Sequence, residues 1–167
     1  MCVRVAPGVP MIQNVSITSR QNLLDRMDNG TIARINRPFI LISIFGEEGP
    51  CIGDFNKVKL GENCKGVLEL FFADVEPSDG FDTDMLFREE HAFKIIEFVN
   101  RHKHNANHVI VHCMAGISRS GAVGQWIVDY LKLNKDHFKI ANPWICPNAH
   151  VYMILAVTSG LVRGADS

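Results

Sequence analysis

The segment Val109-Ile-Val-His-Cys-Met-Ala-Gly-Ile-Ser-Arg-Ser120 limits the possible folds of this chain more than any other stretch. It opens as a short apolar run of strand length, breaks at a loop containing Gly116, and passes into a strongly helical stretch from Ser120 to Leu133. A buried strand that runs directly into a helix is the unit of α/β architecture. Such a turn also points successive backbone N–H groups into one concavity at a helix N-terminus.

The remaining patterns agree with an α/β chain. Met11 to Thr18 alternates like a strand, Ser19 is placed to cap a helix over Gln21 to Met27, and Asn29-Gly30 closes that helix. Phe39 to Phe45 is a continuous apolar run of strand length. Gly46, Gly49, Pro50 and Gly53 mark a loop after it. Val67 to Phe72 predicts a third strand, with a loop from Glu76 to Gly80. Met85, Leu86, His91, Ala92, Ile95, Ile96 and Val99 recur at helical spacing and predict a long helix from Thr83 to His102. His108 to His112 is the buried strand that leads into the cysteine. A turn holds Pro143 and Pro147, and Asn148 to Thr158 predicts a final, largely buried helix. The expected fold is one domain over 1–167: a central, mainly parallel sheet of four or five strands flanked by helices on both faces. Trp126, Trp144 and Tyr152, set among apolar neighbours, are read as core.

Composition narrows the functional classes. At 47% apolar the chain can bury a substantial core, and a formal net charge of −1 gives no reason to expect a nucleic-acid or membrane surface. Anion binding must therefore come from a focused local site. The five cysteines are scattered without CxxC spacing, so neither a zinc site nor a disulfide framework is expected. Met1 to Pro10 lacks the apolar core of a signal peptide, and a reducing cytoplasm is the expected location. The histidine-rich stretch Arg101 to His108 is read as the solvated end of a helix rather than a metal site.

Each part of the central segment has a physical task if its ligand is a phosphate. The N–H groups from Met114 through Arg119, with the helix start, form an oxyanion cradle. Gly116 permits a backbone conformation closed to other residues. Arg119 offers a planar fork that binds two oxygens at once. Cys113 stands at the floor. A thiolate is the nucleophilic form of cysteine, and cysteines at helix N-termini beside cations reach it readily.

HCMAGISRSG resembles the His-Cys-x5-Arg-Ser/Thr signature of the protein-tyrosine phosphatase superfamily, in the version most similar to dual-specificity phosphatases. A bare Cys-x5-Arg is common by chance. Here it is joined by His112, Ala115, Gly116, Ser118 and Ser120, with a strand before and a helix after. The resemblance extends over about residues 67–155 and includes Pro147-Asn148, like the pair that opens a late helix in those enzymes. Relatives often carry an arginine in the turn before it, where this chain has Ala141-Asn-Pro-Trp. Helix capping is therefore the role read for Asn148. Low-molecular-weight phosphatases carry their signature near the N-terminus, and rhodanese-type transferases use a shorter loop.

The resemblance implies hydrolysis of phosphate monoesters, with phosphotyrosine and also phosphoserine or phosphothreonine in proteins as substrates, through a phosphocysteine on Cys113. Arg119 and the loop residues Met114, Ala115, Gly116, Ile117 and Ser118 would hold the phosphate. His112 would shape the loop and support the thiolate, and Ser120 would assist breakdown of the intermediate. The general acid would come from the loop after the third strand. Asp74 is favoured there over Asp79 and Glu76. No metal or organic cofactor is implied, and the expected partner is a phosphorylated protein. The rival readings are a phosphoinositide or RNA 5′-phosphatase with the same loop, and a catalytically silent phosphate-binding module.

Overall fold

A computed structural model describes residues 11–53, 57–75, 80 and 85–163. Four strands form one sheet: β1 (Asn14–Ser19), β2 (Phe39–Phe45), β3 (Cys64–Phe71) and β4 (His108–Cys113). Their spatial order is β1-β4-β2-β3 and every pairing is parallel. Helices α1 (Arg20–Asp28), α2 (Glu89–His102), α3 (Arg119–Tyr130), α4 (Lys135–Ala141) and α5 (Ala149–Thr158) connect and cover it, with a 3-10 turn at Val58–Leu60. The expected α/β fold, with helices on both faces, is what the chain adopts.

Alternation along the central strands divides the core in two. Ile40, Ile42 and Ile44 of β2 and Val109 and Val111 of β4 meet α2, α3 and α5 through Ile95, Val99, Val123, Trp126, Ile127 and Leu155. Phe39, Leu41 and Ile110 point the other way, onto Leu23 and Met27 of α1 and onto Ile32, Ile52 and Leu60. Strands buried on both faces read as near-continuous apolar runs, as FILISIF does.

The outer edge of β1 is covered rather than open. Ile17 N donates to Asn142 Oδ1 at 2.9 Å, and Asn142 Nδ2 donates to Val15 O at 3.2 Å. A side-chain amide thus takes the place of a fifth strand and blocks edge pairing.

Several boundaries differ from expectation for local reasons. The long helix begins at Glu89, not Thr83. Met85 is committed elsewhere, its carbonyl accepting from Ala73 N at 2.8 Å, and Arg88 is extended as the N-cap, its N–H donating to His91 Nδ1. Residues 83 and 84 lie outside the described residues. Helix α3 stops at Tyr130 rather than Leu133 because Lys132 adopts φ 56, and Leu133 N turns back to Val128 O at 2.8 Å. Helix α4 was not expected; the Asn134 side chain caps it by accepting from His137 N. Strand β3 starts at Cys64, three residues before the expected Val67, with a register irregularity opposite Phe39–Ile40.

Two side-chain expectations are also corrected. Trp126 is core, but Trp144 is 51% exposed. In the histidine-rich stretch, His102 is buried against Phe98 and His108 bonds Ser16 Oγ at 2.7 Å, so only part of that stretch is solvated. Among the described residues no group of three or more His, Cys, Asp or Glu side chains is arranged to hold a metal ion, and no helix is long and apolar enough to cross a membrane. Cys51, Cys64, Cys113 and Cys146 are in no disulfide among the described residues. Cys2 lies outside the described residues.

Candidate active site

An all-parallel sheet delivers the carboxyl ends of its four strands to one side. Ser19 ends β1 and Arg20 follows it, Gly46 to Glu48 follow β2, Phe72 to Asp74 follow β3, and the segment from Cys113 to Arg119 joins β4 to α3. Residues distant in sequence converge there, as in other open α/β sheets.

Cys113 ends β4 on the α3 side of the sheet and is 2% exposed. Its Sγ is 3.1 Å from Ser120 Oγ in the first turn of α3. Around it the loop is held from outside. Arg20 N donates to Met114 O at 3.2 Å, Trp144 Nε1 to Gly116 O at 3.0 Å, Cys146 N to Ile117 O at 3.1 Å and Asn148 N to Ser118 O at 3.1 Å. Every peptide is trans. In a trans peptide the N–H of the next residue points opposite to the carbonyl. The amides of Ala115, Ile117, Ser118 and Arg119 are therefore turned inward. Gly116 makes the sharp bend with φ +72, and a Cβ there would lie 2.5 Å from Ser19 N. The side chains of Met114, Ala115 and Ile117 face outward and are exposed.

Arg119 is 7% exposed. Its Nη1 donates to Phe72 O at 3.0 Å and its Nη2 lies 3.6 Å from Glu48 Oε1. Its buried Nε has no hydrogen-bond partner among the described residues. The two Nη groups thus face Phe72 O and Glu48, while Nε keeps an unpartnered donor for an oxyanion. Burial of Glu48 works against its charge. That effect is outweighed by its own and Gly46's backbone N–H groups and by Arg119 and Arg20, so its carboxyl is held below the usual range. Sequence reasoning gave Glu48 no role. The loop position after a strand end was the available signal.

Asp74 is exposed at the mouth and reaches the loop directly. Its Oδ1 accepts from Ser118 Oγ at 2.8 Å and from Asn148 Nδ2 at 3.0 Å. Asn148 also caps α5 by accepting from Val151 N at 3.1 Å, so one side chain fixes both the helix start and the carboxylate. Asp79 and Glu76 lie outside the described residues. Gly46, Glu47, Glu48, Ala73, Asp74, Val75, Met85 and Arg119 line a cleft of about 230 Å³.

His112 points to the opposite face of the sheet from Cys113. Its Nε2 is 2.6 Å from Ser43 Oγ and 3.2 Å from Cys51 Sγ, and its Nδ1 is 3.4 Å from Cys113 O. Burial lowers its pKa to about 4, with Arg20 and Arg119 adding to the effect against the Cys113 carbonyl and Glu48. The ring is neutral at pH 7 and brings no positive charge to the site. Its contact with the site is the hydrogen bond to the Cys113 carbonyl.

This lowered pKa fixes a sign for acid stability. Between about pH 6.5 and about pH 4 the unfolded chain binds a proton that the folded chain excludes, so stability rises with pH through that window and is lost as pH falls through it. The contribution is on the order of 3 kcal/mol. Denaturant melts at pH 7 and pH 4.5 are expected to show that loss, and His112→Asn is expected to flatten the slope. An unchanged slope in the variant would assign it to other groups.

No protein-family model and no curated protein matches this sequence. Solved structures do. Tk-PTP in its active form matches with a TM-score of 0.52 at 13% identity, over 95% of this chain and 100% of that one. PTPMT1 matches at 0.51 and 16%, over 91% and 93% of the two chains. The human tyrosine phosphatase-like serine/threonine/tyrosine-interacting protein matches at 0.50 and 17%, over 86% and 85%. The chain has the protein-tyrosine-phosphatase fold. Within that fold, the loop from Cys113 to Arg119 lies at the strand-end crevice and carries the signature that suggested the resemblance.

Proposed function

We propose that this chain is a cysteine-dependent phosphomonoesterase of the protein-tyrosine/dual-specificity type, acting on phosphotyrosine, and also phosphoserine or phosphothreonine, in proteins. The observation that carries the reading is the convergence of Cys113, Ser120, Arg119 and Asp74 on one loop. Cys113 attacks phosphorus in line and displaces the alcohol or phenol oxygen. The inward amides and the Nε edge of Arg119 stabilise the equatorial oxygens. Asp74 gives its proton to the leaving oxygen. It then takes a proton from the water that attacks the phosphocysteine; the S–P bond breaks, returning the Cys113 thiolate and releasing inorganic phosphate with Asp74 protonated for the next cycle. Ser120, bonded to the sulfur, steadies it as it leaves. No step calls for a metal.

Asp74→Asn is expected to lower kcat by roughly 10²–10³-fold on alkyl and phenyl phosphates while KM stays within about twofold. In kcat/KM, which reports formation of the phosphocysteine and not its hydrolysis, the loss should shrink on substrates with good leaving groups such as nitrophenyl phosphate. An equal kcat/KM loss on all substrates would remove Asp74 from the acid role, and the same pattern in Asp79→Asn would transfer it. A second reading, a phosphoinositide phosphatase, has one observation in its favour: PTPMT1, a neighbour in fold, has been solved in complex with PI(5)P.

A further inference from the structure

The outward carbonyls of the phosphate loop are not all held alike. Met114 O, Ile117 O and Ser118 O accept from the backbone N–H groups of Arg20, Cys146 and Asn148. Gly116 O accepts from a side chain, the indole Nε1–H of Trp144, at 3.0 Å. Trp144 stands in the turn between α4 and α5 and is 51% exposed, so filling the core is not its main task. Its directed contact is the one to the loop. Gly116 has no side chain to hold its peptide in place, and its φ is +72.

The Gly116 carbonyl and the Ile117 N–H belong to one planar peptide. A donor on the oxygen end draws electron density toward it and makes the N–H at the other end a stronger donor. The same bond fixes the tilt of the plane. We infer that Trp144 is a positioning residue for the phosphate site: its indole N–H aims and polarises the Gly116–Ile117 peptide so that the Ile117 amide binds a phosphate oxygen. This rests on the phosphatase reading of the loop. Trp144 acts through that peptide, in the substrate complex and in the transition state alike. One hydrogen bond of net value shifts a binding equilibrium by roughly two- to tenfold.

Trp144→Phe keeps an aromatic ring and removes the donor. Inorganic phosphate affinity is read from the phosphate dependence of the melting temperature. Its Kd is expected to rise about three- to tenfold, and kcat/KM to fall by at least as much. The kcat/KM loss should be equal on phenyl and nitrophenyl phosphate, because the acid Asp74 is untouched. A loss that differs between the two esters would mean that the whole loop has moved with Ser118 and Asp74, and would reduce Trp144 to structural support. Wild-type indole emission gives a second reading that needs no variant. Trp126 is fully buried and stacked on Tyr130, so a phosphate-dependent change belongs to Trp144 and should follow the same Kd. Unchanged phosphate affinity and kcat/KM in Trp144→Phe, or wild-type emission that ignores phosphate, overturns the inference and leaves the phosphatase reading standing. Weakened phosphate binding in the variant, with no Cys113-dependent turnover by wild type, overturns the phosphatase reading and keeps Trp144 as the positioning residue of an oxyanion site.

Discussion

Cys113→Ser is expected to abolish phosphate release, by on the order of 10⁵-fold, while leaving the fold intact. The substitution exchanges one atom at a fully enclosed position, where Sγ is bonded to Ser120 Oγ. A hydroxyl fits the same space and the same hydrogen bond, so the sheet, the loop and Arg119 have no reason to move. What disappears is the nucleophile. A serine at the end of β4 has no base beside it, because His112 is turned to the opposite face toward Ser43 and Cys51. Aryl phosphate hydrolysis by wild type and variant, with circular dichroism to establish folding, measures the effect. Residual activity above about 1% of wild type would assign the chemistry to another group.

The second large effect is expected at Gly116. A methyl group there meets both an unfavourable φ of +72 and backbone atoms of Thr18 and Ser19 at 2.5 Å. Neither neighbour can yield, since Thr18 is in β1 and Ser19 caps α1. Gly116→Ala should therefore displace the loop, cost about 3 kcal/mol or more of stability, and remove most activity because the inward amides lose their aim. Gly160 provides the contrast. It has φ +76 with nothing within 4 Å of the added carbon. Gly160→Ala should cost about 1–2 kcal/mol, from backbone conformation alone, and keep full activity. Urea denaturation with parallel activity assays distinguishes the two. Equal costs at both glycines would mean that the packing of Gly116 against β1 carries no weight.

The parts that were legible in the sequence are those dictated by short-range physics. The apolar run Phe39–Phe45 could only be buried on both faces, and it is β2 to the residue. Ser19 and Asn148 were readable as helix caps and serve as caps. The segment from Cys113 to Arg119 was readable because strand, glycine and helix start all lie within one stretch of chain. What was not legible depends on contacts between distant segments. Glu48 lies beside Arg119 only because β2 and β4 are neighbours in the sheet. Asn142 replaces a strand at the β1 edge across 125 residues of separation. Trp144 looked like core by its neighbours, yet it lies on the surface and holds the Gly116 carbonyl. The premature helix start at Thr83 has the same origin: periodicity placed Met85 in a helix, whereas its carbonyl is bonded to Ala73.

The covalent intermediate tests the central claim most directly. Asp74→Asn should slow hydrolysis of the phosphoenzyme more than its formation when the leaving group is good. Rapid acid quench of that variant with nitrophenyl phosphate, followed by intact and peptide mass analysis, should find one phosphoryl group, located on Cys113. Turnover with no phosphoryl adduct at any quench time, or an adduct on another residue, would contradict the account.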